Sequence, residues 1–244
     1  MMELELRRLR HDRMELYTRA IQPVLWLVIF APIMGSIKAI PTGSIPYIDY
    51  IVPGVLIQST TMVAIFFGLT LIFERESGIL KKLLVTPTSR YTIVIGRSLS
   101  AGVRALFQVL IIVPFALVMG VVFLPNPLFF TLAVLIIFFS SAGFAALSIF
   151  IAAFLKARER FQAIGQAITF PLFFASNSLY PISLMPPALQ TFSLYNPMTY
   201  IVDAVRSLLI SGDLTNLPVD LLAITLFVGS MFSLASISFR RIIQ

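Results

Sequence analysis

Few residue types in this 244-residue chain could do covalent or metal chemistry, and their placement removes most of what is left. There is no cysteine, so no disulfide and no thiolate metal site can form. The single histidine, His11, stands among the arginines of the leader and reads as a solvated or lipid-surface residue. One imidazole supports neither a zinc constellation nor a serine–histidine dyad. No GxxxxGK[ST] run occurs, so the chain has no P-loop to cradle the phosphates of a nucleotide. Enzyme readings therefore start weak. What the sequence does concentrate is charge: "ERESGILKKLLVTPTSR", residues 74 to 90, gathers acids and bases in a chain that is only 12% charged.

The elements that present this stretch follow from composition. A mean hydropathy of +0.95 and 58% hydrophobic residues lie far beyond the balance of a soluble domain. Apolar runs near twenty residues recur, and at a rise of 1.5 Å per residue such a run crosses about 30 Å of hydrocarbon. The expectation is an all-α polytopic membrane protein of one domain, residues 1–244, with six transmembrane helices. They are predicted at 21–37, 51–73, 99–124, 128–155, 163–180 and 217–239. Lys and Arg resist translocation, so their distribution orients the spans. With the amino terminus inside, sixteen of the 18 bases fall on the cytoplasmic side, and only Lys38 and Arg206 lie outside. Both termini are then cytoplasmic, in a multi-pass protein of the plasma (inner) membrane. The pI near 10 is accounted for by this topology and by membrane lipid headgroups, not by nucleic acid.

In the leader, Leu6, Leu9, Leu16, Tyr17 and Ala20 share one helical side while Arg7, Arg8, Arg10 and Asp12 lie on others. This suits an N-terminal interfacial helix, with a frayed basic anchor as the alternative. In the charged stretch, Ile79, Leu80, Leu83 and Leu84 form one side of a short helix that Thr86 and Pro87 stop. Thr88 or Ser89 could cap the next helix through Arg90 and Arg97. A structured loop of roughly 25 residues is long for a connection. On pattern alone it is either parked under the bilayer or docked on a partner.

The run "ERESGILKKLLVTPTSRYTIVIGRSL" resembles the cytoplasmic loop of ABC-2 type transporter permeases, especially drug-export permeases of the daunorubicin-resistance kind. Glu74, Arg75, Glu76, Gly78, Leu80, Leu83, Thr86, Pro87, Gly96 and Arg97 match that pattern. "YNPMTYIVDAVRSLL", residues 195 to 209, is similar to the family's Asn-Pro-Met/Leu-Thr-Tyr segment before the last span. The resemblance implies the membrane subunit of an ATP-driven exporter of a drug-like or lipid compound. It implies a loop that acts as a cytoplasmic coupling helix, with Glu74, Arg75, Glu76, Gly78, Leu80, Lys81, Lys82 and Leu83 seated in a separate nucleotide-binding ATPase subunit and Thr86 and Pro87 behind them. Two copies of that ATPase would serve a permease homodimer, and ATP and Mg would belong to the ATPase, leaving this chain without a cofactor. It also implies outer re-entrant helices between spans five and six.

Five prolines between Pro171 and Pro197 forbid one continuous span there, and irregular backbone at membrane depth survives only when buried or wet. The re-entrant segment is placed at 181–212, with Pro181, Asn196, Pro197, Tyr200, Asp203 and Arg206 as its marked residues; an ordinary external loop is the alternative. Asp203 and Arg206, three apart on a helix, are expected to form a surface pair of little consequence rather than part of an outer gate. Gln58, Thr60, Thr61, Arg104, Gln108, Gln166 and Asn177 are the candidates for a translocation path, with helix-to-helix hydrogen bonding the more general role of such residues and snorkelling open to Arg104. Ser140 to Ser148 is rich in small residues and suits close helix packing. Two other readings stand beside drug or lipid export: export of a lipid-linked polysaccharide or teichoic-acid-like polymer, and an ion-coupled carrier or channel with no ATPase. The carrier predicts mid-span carboxylates that the runs lack. Because the chain has no native cysteine, Ser77→Cys tests the topology directly: a membrane-impermeant maleimide should label it only from the cytoplasmic side.

Overall fold

A computed structural model describes residues 21–38, 40–43, 45–78, 90–155 and 157–243. Among these residues the fold is entirely helical, with eight α-helices that we number in chain order. They are α1 (Ile21–Ile37), α2 (Tyr47–Glu76), α3 (Arg90–Val118), α4 (Pro127–Phe154), α5 (Arg158–Phe174), α6 (Pro187–Tyr195), α7 (Pro197–Arg206) and α8 (Leu217–Ile243). A π-helical turn, Trp26–Phe30, interrupts α1, and another, Ser207–Ser211, follows α7. The leader, including the expected interfacial helix and His11, lies outside the described residues.

Helices α2, α3, α4 and α8 are long and apolar enough to cross a membrane. Helix α1 is shorter, and the 17 residues of α5 reach only about 25 Å at the helical rise. The expected spans shift at both ends of α3, which begins at Arg90 and not near Leu99, and at both ends of α5. Helix α3 stops at Val118 rather than near Leu124, because Gly120 adopts φ +86° and the Val121 N–H reaches back to the Ala116 carbonyl at 3.1 Å. This left-handed closure takes up carbonyls that the last turn would otherwise leave unpaired. Helix α5 begins at Arg158 and ends at Phe174, about five residues earlier than predicted. Its continuation is bent away by hydrogen bonds from Tyr47 Oη to the Leu179 carbonyl (3.0 Å) and from Tyr50 Oη to the Asn177 carbonyl (3.1 Å).

Helix α2 is the hub. It is apolar on most sides, which suits a helix surrounded by others, and it packs against α1, α3, α4, α5 and α7. Helix α4 lies beside it and also carries α3 and α8. Asn126 starts α4 by accepting the Leu128 and Phe129 N–H groups on Oδ1 at 3.0 and 3.4 Å, with Pro127 at the first helical position. The small residues of α4 serve packing within the chain: a Cβ on Gly143 would meet Val228 at 2.9 Å, and Ser148 Oγ donates to the Ile65 carbonyl of α2 at 2.5 Å. Between α5 and α8 the chain forms short helices, a 3-10 turn at Ile182–Leu184 followed by α6 and α7, and not one span.

Gly54 marks the closest approach of α2 to the outer connection, since a Cβ there would fall 2.4 Å from the Ser178 carbonyl oxygen. Gly54→Ala is expected to destabilise the fold by about 1–3 kcal/mol through overpacking. Gly229→Ala in α8, where a Cβ would meet nothing within 4 Å, should not. Thermal unfolding of the two purified variants in detergent checks the contrast.

Candidate functional site

The charged stretch leaves α2 at its last turn. The N–H groups of Ser77 and Gly78 bond back to the Phe73 and Arg75 carbonyls at 2.9 and 3.2 Å, and Gly78 takes φ +72°. A left-handed residue closes the helix there and favours glycine. Glu74, Arg75, Glu76 and Gly78 are thus placed at the neck of the loop. Leu80, Lys81, Lys82, Leu83, Thr86 and Pro87 lie outside the described residues.

Two arginines grip the neck from different helices. Arg97, in the second turn of α3, donates from Nη2 to Glu74 Oε2, with side-chain exposures of only 7% and 18%. Arg158, the first residue of α5, donates from Nη2 to Glu76 Oε2, and both of these side chains are about two-fifths exposed. Its guanidinium also lies 3.5 Å from the centroid of the Phe73 ring. A half-exposed ion pair contributes about 0–1 kcal/mol and an exposed cation–π contact about 0.5–1 kcal/mol. The buried pair differs in kind, because losing one partner strands the other charge in a poor solvent. The last turn of α2 is therefore tied to both α3 and α5.

The outer motif is built around Asn196. Its Oδ1 accepts the Met198 N–H at 3.0 Å, capping α7, and Pro197 occupies the first helical position. Its Nδ2 donates to the Leu172 and Ala175 carbonyls at 2.7 and 3.0 Å. These are carbonyls that the end of α5 cannot satisfy internally. Asn196 thus joins the end of α5 to the start of α7. Tyr200 Oη closes on the Leu194 carbonyl at 2.6 Å, and Thr199 Oγ1 lies 3.0 Å from Ser193 Oγ. Pro181 leads into the 3-10 turn.

Asp203 and Arg206 do pair, at 3.6 Å, but the expectation of an inconsequential surface pair is overturned. Arg206 is only 6% exposed. It donates from Nε to the Tyr50 carbonyl (3.3 Å) and from Nη2 to the Asn177 carbonyl (2.7 Å), and its guanidinium sits 3.8 Å from the Tyr50 ring centroid. Asn177 Nδ2 in turn donates to Asp203 Oδ1 at 3.0 Å. One guanidinium thereby holds the outer turn of α2, the connection after α5, and α7. In the exposed connection that follows, hydrogen bonds from Thr215 hold the Asp213 carboxyl below its ordinary range.

The polar residues within the helices are not gathered into one place. Gln58, Thr60, Thr61 and Gln108 are buried inside the chain, where Ser59 Oγ donates to Gln108 Oε1 at 3.2 Å and Thr60 Oγ1 to the Ile57 carbonyl at 3.0 Å. Arg104 is half-buried, its guanidinium 5.1 Å from the Phe67 ring centroid. Asn177 belongs to the outer network, whereas Gln166 is exposed on α5 beside Gln162. Two buried carboxylates escape a search confined to mid-span positions: Asp49 and Asp220 stand in the first turns of α2 and α8. A helix N-terminus is where a carboxylate is best tolerated. Among the described residues no cluster of His, Asp and Glu is placed to hold a metal ion.

Among the described residues, four helices long and apolar enough to cross a membrane, a charged stretch gripped at its neck and a hydrogen-bonded cap of short helices fit the membrane part of a transporter. A profile of the ABC-2 type transporter family matches residues 1–210, and the chain belongs to that family. Among its relatives is the transport permease ycf38 of Cyanophora paradoxa, 31% identical over 206 residues, an alignment covering 82% of this chain and 69% of that one. The daunorubicin resistance ABC transporter permease protein DrrB1 of Streptomyces coeruleorubidus is 25% identical, with 82% and 70% covered. The inner membrane transport permease YadH of Escherichia coli K12 is 26% identical, with 80% and 77% covered.

Replacing Arg206 by Ala leaves the Asn177 and Tyr50 carbonyls short of their donor and Asp203 short of its counter-charge. Stability in detergent is expected to fall by about 2–4 kcal/mol, read as a lowered melting midpoint. A Tyr200→Phe control, which loses one exposed hydrogen bond, should fall by no more than about 1 kcal/mol.

Proposed function

We propose that the chain is the permease subunit of an exporter that moves a hydrophobic or amphipathic compound out across the plasma membrane, driven by ATP hydrolysis in a separate subunit. The observation that carries this reading is the neck of the loop. Glu74 and Glu76 fasten the last turn of α2 to two other helices, so a push on the loop is delivered to the bundle and not absorbed by a slack connection. Membership of the ABC-2 family and the names of the permease relatives support it.

In this reading α1 and α5 complete six spans with both termini in the cytoplasm. Two copies of the chain work as a homodimer over two ATPase subunits, which hold the ATP and Mg. The exposed Gln162 and Gln166 of α5 support the pairing, because polar groups on a membrane helix face protein or water and not lipid. So does the open apolar groove along α1, about 590 Å³, lined by Gln22, Trp26, Phe30 and their neighbours. Nucleotide closes the ATPases, and their grip on the two loops favours one arrangement of the dimer over the other. The shift can be no larger than the difference in affinity of the ATPases for the two arrangements.

The test is reconstitution of the chain with its ATPase subunits in liposomes, with daunorubicin fluorescence as the transport probe. ATP is expected to drive uptake into inside-out liposomes. Gly78→Pro, which cannot adopt φ +72° and lacks the N–H that closes α2, is expected to cut ATP-driven uptake by tenfold or so while the chain still folds and inserts, with a melting midpoint lowered by only a few degrees. Uptake that needs no ATPase subunit, or that survives Gly78→Pro at full rate, contradicts the proposal.

A further inference from the structure

Glu74 and Glu76 stand two residues apart on the same turn of α2, yet their ion pairs differ in exposure to solvent. The Glu74–Arg97 pair is enclosed, and separating it would expose two charges to an apolar interior. The Glu76–Arg158 pair is half in solvent, where water replaces either partner at little cost. The first suits a permanent joint, the second one that opens.

Helix α5 is built to use such a joint. Its buried residues are Phe161, Gly165, Thr169 and Phe173, a single file at a spacing of four, so it meets the bundle along one narrow seam. A Cβ on Gly165 would lie 3.1 Å from Ile65, and a Cβ on Gly68 would lie 2.7 Å from Phe161, so the seam is close but thin. The outer end of α5 is pinned by Asn196 to α7. At the inner end, Arg158 lays its planar guanidinium over Phe73 while reaching Glu76. Phe161, one turn in, is fully buried, so the seam itself stays seated. Ahead of it, the first turn of α5 meets the loop neck through this solvent-exposed contact and can part from the neck without unburying apolar surface.

We propose that Arg158 is a positioning residue, and that its contact with Glu76 and Phe73 is a latch that joins the loop to α5 in one state of the transport cycle and releases it in the other. The guanidinium serves where an ammonium would not, because one flat group both stacks on the ring and donates to the carboxylate. This rests on the reading of the chain as an ATP-driven permease, and it adds the route by which loop movement reaches the fifth helix.

The chain has no native cysteine, so Ser77→Cys with Ala157→Cys, each next to the latch, places one pair in each copy of the chain while Glu76 and Arg158 stay in place. A short reducible bis-methanethiosulfonate linker is used, since a direct disulfide needs Cα atoms within about 7 Å. Cross-link yield is expected to differ between nucleotide-free membranes and membranes trapped with ATP and vanadate. The linked complex should lose daunorubicin transport and regain it on reduction. Arg158→Gln is expected to keep ATP hydrolysis and the melting midpoint while transport per ATP falls. Equal cross-link yields with and without nucleotide, unimpaired transport by the linked complex, or full coupling in Arg158→Gln would each overturn the latch. Absence of ATP-driven transport by the unaltered chain would instead overturn the functional reading and the latch with it, whereas a latch that fails alone leaves that transport intact.

Discussion

A guanidinium cannot be left unpaired in an apolar interior, and among the described residues two are buried, one near each end of the central helix. Arg97 sits at the loop neck against Glu74, and Arg206 sits at the opposite end against the Tyr50 and Asn177 carbonyls and Asp203. Each forces segments distant in sequence to converge. The first brings the start of α3 to the end of α2; the second brings α7 and the connection after α5 to the start of α2. The rest of the architecture is arranged so that these two demands are met together.

Helix α2 is what they share. Its outer turn offers Tyr47 and Tyr50, whose hydroxyls fix the connection after α5, and its inner turn offers Glu74 and Glu76. Its 30 residues extend about 45 Å, so one rigid rod runs from the loop neck to the outer cap. Pro53 removes one internal hydrogen bond from that rod close to Gly54, where the backbone of Ser178 presses in. A proline is tolerated at such a depth because neighbouring helices surround it.

How much of this could be read from the residues depends on whether the signal was local. Asn126 before Pro127 and Asn196 before Pro197 are cap signatures, and both act as caps. The small residues of α4 announced close packing, and they make it. The end of α3 was misjudged because hydropathy continues through Val121 to Leu124 while Gly120 turns the backbone; an apolar run does not say where hydrogen bonding stops. The burial of Arg206 depends on carbonyls contributed from 29 and 156 residues away, which no local pattern contains. One clue was present: Arg206 is one of two bases that the expected topology leaves across the membrane from the others, and a base in that position calls for a specific partner. The half of the loop from Ile79 to Ser89 lies outside the described residues, so its expected helix stays a reading of the sequence.

In the proposed reading the loop is the place where force enters. Tests of transport reach that idea only through several steps, whereas contact can be observed at once. A photo-reactive amino acid at position 77, in the exposed first turn of the loop, should capture the ATPase subunit in intact membranes, and the same group at position 212 beside the outer cap should not. Capture of the ATPase from position 212, or none from position 77 in membranes that hold both subunits, would contradict the assignment of the loop as the docking element.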